Sequence, residues 1–108
     1  QPTSPMRKSG LIDAIIEDHV DSGNDLTVSG YYSTDYPYGE HKNTPRQKLI
    51  PKFFDDGSVY IFSHSTSLLG EWIPQKWAPY INEFPYTIEI DTQAELKLIQ
   101  SIFFNYYK

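Results

Sequence analysis

The stretch SGLIDAIIEDHVDSGNDLTVS, residues 9–29, decides the fold class. Leu11, Ile12, Ile15, Ile16, His19 and Val20 recur at spacings of three and four, which gathers them on one helical face, while Asp13, Glu17, Asp18 and Asp21 fall mostly elsewhere. Ser9 stands where an N-cap belongs, so the pattern predicts a helix from there to about Ser22. Gly23-Asn24 stops it, and Leu26-Thr27-Val28-Ser29 reads as a short strand. Helix, tight turn, strand is the order of an α/β protein.

Downstream, Asp55-Asp56-Gly57 is a turn signal and Ser58-Val59-Tyr60-Ile61-Phe62 is the clearest strand of the chain. A short helix over Thr66 to Leu69 ends at Gly70. Tyr80-Ile81 and Tyr86-Thr87-Ile88-Glu89-Ile90 are two further strand candidates. Thr92 to Tyr107 closes as a helix: Thr92 and Glu95 have the spacing of a capping box, and Leu96, Ile99, Phe103 and Tyr106 form its apolar stripe. Between Gly30 and Asp56 no period holds, because Tyr31, Tyr32, Tyr36 and Tyr38 mix with Pro37, Pro45 and Pro51. An excursion of that length predicts a functional loop or an interface arm at about residues 30–56. Upstream, Pro2 and Pro5 make residues 1–8 a loop. A chain that opens inside such a loop reads as cut from a longer one.

At 108 residues there is enough chain for one small domain. The hydrophobic share of 39% and charged share of 21% place it among globular proteins and exclude a disordered one. Its 16% aromatic content, with nine Tyr, predicts that ring area builds much of the core and of any interface. A net charge of -5 with scattered basic residues argues against nucleic acid or an anionic membrane as partner. The absence of cysteine excludes disulfides and thiolate metal sites and fits a cytoplasmic location. No apolar run approaches the roughly 18 residues of a membrane span.

Three groups of residues could carry chemistry. Glu89 and Asp91 flank Ile90 at the end of an expected strand, where the pleat would put both carboxylates on one side about 6–7 Å apart. Such a pair at the C-terminal edge of a sheet suits magnesium, the escort of nucleoside triphosphates; spacing alone favours the plainer reading, a polar strand face followed by a helix cap. Arg46-Gln47 could grip a carboxylate with two parallel hydrogen bonds, or simply belong to a solvated loop. Gln1-Pro2-Thr3-Ser4-Pro5 offers an amide and two hydroxyls on a stiff backbone, or plain proline punctuation. His19, His41 and His64 share no metal-ligand spacing, and Gly39, Gly57 and Gly70 form no phosphate loop.

In order, these landmarks resemble the acylneuraminate cytidylyltransferases, the CMP-sialic acid synthetases. Gln1-Pro2-Thr3-Ser4-Pro5-Met6-Arg7 is similar to that family's QPTSPLR motif. Leu26 to Ser29 stands at its following Val-Ser strand, and Pro45-Arg46-Gln47-Lys48-Leu49 resembles its Arg-Gln segment. Asp56-Gly57-Ser58-Val59-Tyr60-Ile61 is similar to its Asn-Gly-Ala-Ile-Tyr-Ile strand, and Glu89-Ile90-Asp91-Thr92 resembles its closing Asp-Ile-Asp-Thr.

The resemblance implies a Rossmann-like nucleotidyltransferase fold of which residues 1–108 are the C-terminal half, homodimeric at full length. The implied reaction transfers CMP from CTP to a sialic-acid-like nonulosonic acid and releases pyrophosphate. Gln1 would contact the sugar, Arg46 its carboxylate and Gln47 the same region; Glu89 and Asp91 would hold magnesium, with Asp91 and Arg46 the catalytic pair. The family's Gly/Ser/Lys-rich segment for the CTP phosphates is absent from these residues, so the chain alone is expected to be inactive. Glu89 replaces a commoner Asp, and Tyr31 to Phe54 is shorter than the family's dimer arm. A legionaminic, pseudaminic or Kdo-like substrate and a non-catalytic interaction module are the alternatives.

Overall fold

The computed structural model describes residues 1–106, the side chain of Phe104 excepted. Helix α1 (Leu11–Ser22) begins where the periodicity does, but Ser9 is not its cap: Gly10 takes that position at φ 79, with no side-chain cap. Chain entry through the left-handed region suits glycine and not serine, which explains the displacement. The helix stops at Gly23, whose N–H returns to the His19 carbonyl. Only Leu11, Ile15 and His19 of the expected face are buried, while Ile12, Ile16 and Val20, one position round, are exposed.

Strands β1 (Leu26–Ser33), β2 (Lys52–Phe62) and β3 (Trp77–Ile81) form one mixed sheet in the order β2-β1-β3, with β2 antiparallel and β3 parallel to β1. The chain is therefore of mixed α/β class. The aperiodic stretch contracts to residues 34–51, because its flanks pair: Gly30 to Ser33 lie against Asp55 to Lys52. Within it, Arg46–Lys48 makes a single 3-10 turn. Helix α2 (His64–Leu69) ends at a left-handed Gly70, and helix α3 (Gln93–Tyr106) follows Thr92. The expected end of α3 at Tyr107 lies outside the described residues.

Two further expectations fail for identifiable reasons. Tyr86 to Ile90 is no strand: the Tyr86 and Ile88 N–H groups are committed to turn carbonyls at Glu83 (2.7 Å) and Pro85 (3.2 Å) and cannot join a ladder. Asp55-Asp56-Gly57 is no turn between elements. Along β1 the step from Val28 to Gly30 faces the longer step from Tyr60 to Asp55 on β2, so residues 56–59 bulge from an otherwise continuous strand.

The core sits between α1 and one sheet face, where Leu11, Ile15 and Val59 pack with the half-buried Ile61 and Tyr80. The central strand presents Thr27 and Ser29 in the buried interior, both at 0% exposure, and each has polar partners there. Thr27 Oγ1 lies 2.8 Å from His19 Nδ1, and His19 Nε2 lies 3.0 Å from Ser63 Oγ. The Ser63 hydroxyl donates to the Asn24 carbonyl (3.0 Å), so in the neutral ring Nε2 carries the proton and Nδ1 accepts from Thr27. His19 thus pins α1 to the sheet. No helix among the described residues is long and apolar enough to cross a membrane.

Candidate functional site

The bulge in β2 gives the site its floor. Gly57 sits at φ 70, and a Cβ built there would collide with the Glu89 carboxylate, so glycine is required both for the backbone and for the approach. Asp56, only 3% exposed, is held from three sides. Its Oδ1 accepts from the Ser29 hydroxyl (2.6 Å) and the Ser58 N–H (2.9 Å), and its Oδ2 accepts from the Asn82 amide (2.8 Å). A buried carboxylate needs such partners, and this one locks the bulge to β1 and to the residue after β3.

Asp55, Asp56, Glu89, Asp91 and Glu95 line one open depression of about 340 Å³, together with Tyr31, Thr87, Ile88 and Leu98. Three of the five carboxylates have structural duties. Asp56 is saturated as described, and Asp55 accepts from the Tyr60 hydroxyl. Glu95 Oε1 accepts from the Asp91 N–H and the Thr92 hydroxyl (both 3.0 Å), while the Glu95 N–H donates to Thr92 Oγ1 (3.2 Å). The capping box read from the sequence forms, with Glu95 reaching one residue further back than the usual pattern. Among the described residues, the side chains of Glu89 and Asp91 accept no hydrogen bond.

The electrostatics follow from this crowding. Desolvation raises the Glu89 pKa above the ordinary carboxylate value, and the charges of Asp91, Asp55, Asp56 and Glu95 raise it further. Desolvation also raises Tyr60, aided by its hydrogen bond to Asp55 and by the charges of Asp55, Glu89 and Asp56. The depression is short of positive charge. Among the described residues no three His, Cys, Asp or Glu side chains converge as a ready metal cage. Two open carboxylates nonetheless match the way magnesium is commonly held, through one or two carboxylates with water and phosphate oxygens completing the shell.

Segments remote in sequence meet beside this depression. The Ile90 N–H donates to the Thr3 carbonyl (2.7 Å), and the Gln1 nitrogen donates to the Ser58 carbonyl (3.3 Å). Glu89 and Asp91 line the depression and Ile90 does not, but Thr87 and Ile88 line it too, so the segment shows no strand alternation. Gln1 is exposed next to the bulge without lining the depression. Arg46 and Gln47 are exposed on the 34–51 arm and line no part of it; Arg46 reaches only Asp35, at 3.6 Å between side chains that are both mostly exposed. Asp55, Asp56 and Asn82 were not singled out from the sequence. The acidic doublet before a glycine was the available signal, and it reads identically as a turn. No family model matches the chain, and no curated protein matches it.

Proposed function

We propose that the chain is the C-terminal portion of a Rossmann-like cytidylyltransferase that transfers CMP from CTP to a sialic-acid-like nonulosonic acid. The observation that carries the reading is the acidic depression: of five bordering carboxylates, the two without hydrogen-bond partners are Glu89 and Asp91, the pair the motif resemblance singles out. The junction of the Gln1–Pro5 loop with Glu89-Ile90-Asp91 through Thr3 and Ile90 supports it, since both motifs must border one site.

In this reading the anomeric hydroxyl of the sugar acid attacks the α-phosphorus of CTP. A new P–O bond forms, the bond from the α-phosphorus to the oxygen bridging to the β-phosphate breaks, pyrophosphate departs with that electron pair, and the hydroxyl proton passes to solvent water. Glu89 and Asp91 would hold magnesium, which supplies positive charge to the transferring phosphate. Gly57 leaves room for the Glu89 carboxylate at the depression, and Glu95 accepts from the Asp91 N–H just ahead of α3. Gln1, whose nitrogen donates to the Ser58 carbonyl beside the bulge, would address the sugar from outside the depression. Arg46 and Gln47 lie on the arm, so their contact with the sugar's carboxylate requires the arm of the same chain to fold over the site, or the arm of a homodimeric partner.

Thermal unfolding of the 108-residue chain with added magnesium tests the metal role. Stabilisation should be seen in the native chain and be lost in Asp91→Asn, which keeps size and removes only the charge, the cap of α3 being Thr92. Equal stabilisation of both removes Asp91 from the reading. Joined to a nucleotide-binding segment, the chain should release pyrophosphate from CTP and N-acetylneuraminate. There Arg46→Lys should weaken the sugar acid more than CTP, because an ammonium cannot give a bidentate grip.

A further inference from the structure

The sheet face opposite α1 carries a second concavity, of about 350 Å³, which shares only Asp55 with the acidic depression. Leu26 and Val28 of β1 form its apolar floor. Four aromatic side chains wall it: Phe53 and Tyr60 from β2, Trp77 from β3, and Trp72 from the loop between α2 and β3. The rings are set at angles and make no flat platform. Tyr60 and Trp72 meet edge to face (5.9 Å between centroids, 86°), and Phe53 and Trp77 are tilted (5.6 Å, 44°). Among the described residues the one ionisable carboxylate on the wall is Asp55, and no Lys, Arg or His lines the concavity.

We propose that this concavity binds a small organic cation bearing a trimethylammonium group. Aromatic faces carry negative charge density and attract a cation that water solvates weakly, and a carboxylate at the edge completes the complementarity. The other candidates suit it less. A nonulosonic acid or phosphate would face Asp55 with no cation to hold it. A sugar needs several directed polar partners that both donate and accept; beyond two indole N–H groups, which only donate, the walls provide the Asp55 carboxylate and a Tyr60 hydroxyl already donated to Asp55. A hard metal ion finds one carboxylate among hydrocarbon.

The chain contains two Trp, and both line the concavity, so its intrinsic fluorescence reads this site. The test titrates the 108-residue chain with choline and with 3,3-dimethyl-1-butanol, which has the same shape without the charge. Choline should give a saturable fluorescence change at about tenfold lower concentration than the alcohol, and Asp55→Asn should narrow that gap. Trp72→Leu should weaken choline several-fold with an unchanged circular dichroism spectrum, because Trp72 is 66% exposed and the fold does not rest on it. Equal affinities for the two compounds would reduce the concavity to a plain apolar groove and overturn the proposal. So would the absence of any saturable change with choline, or a fluorescence change that follows protein concentration alone, which would mean that a second copy covers this face.

Discussion

Replacing Gly57 by alanine tests how the bulge in β2 controls the acidic depression. Two costs are combined at that position. An L-residue at φ 70 is destabilised by about 1–2 kcal/mol relative to glycine. The new Cβ would also come within 3.0 Å of the Glu89 carboxylate carbon and both its oxygens. That carboxylate ends a flexible side chain, so the collision is relieved by turning Glu89 off its rotamer, at about 0.5–1.5 kcal/mol. Gly23 separates the terms: its φ is 69, and a Cβ there meets nothing within 4 Å. Gly23→Ala should therefore cost about 1–2 kcal/mol and Gly57→Ala about 2–3 kcal/mol. In a Glu89→Ala background the excess at Gly57 should vanish, leaving a coupling of about 1 kcal/mol between the two positions. Urea unfolding followed by circular dichroism resolves this, because 1 kcal/mol moves the midpoint by about 0.5–1 M at the slopes of small domains. Equal shifts for the two glycine variants, or an excess that survives Glu89→Ala, would refute the close packing of the bulge on Glu89.

The raised Glu89 pKa has a definite sign in the pH dependence. A carboxyl that prefers its protonated form in the folded state stabilises the fold at low pH, and that stability is lost as pH rises from the ordinary carboxylate range through the raised value. Glu89→Gln should therefore gain on the native chain across that window and hold a constant advantage above it; urea midpoints taken from pH 4 to 8 that show no widening gap would contradict it. His19→Leu should cost about 1–3 kcal/mol, because it strands the Thr27 hydroxyl at 0% exposure, and the double variant His19→Leu/Thr27→Val should recover part of the loss. Identical unfolding midpoints for the single and double variants would show that the His19–Thr27 bond contributes nothing.

The sequence by itself determined the local elements whose causes are local. Helical spacing from Leu11 to His19, the stops at Gly23 and Gly70, the β-branched and aromatic run at Val59 to Phe62, and the Thr92–Glu95 box all depend on neighbours within a turn or two. It also singled out Glu89 and Asp91, through the motif they resemble. Tertiary structure alone decided the rest, because the deciding partners are far away in the chain. Residues 30–33 and 52–55 have no period of their own and become strands only by pairing with each other. Tyr86 to Ile90 has the composition of a strand, yet its amides are taken by local turns and by Thr3. Asp56 reads as a turn residue until Ser29 and Asn82, each more than 25 positions distant, close around its carboxylate. Burying that charge is tolerable only with those partners in place, and the same long-range closure sets Gly57 under Glu89 and creates the depression.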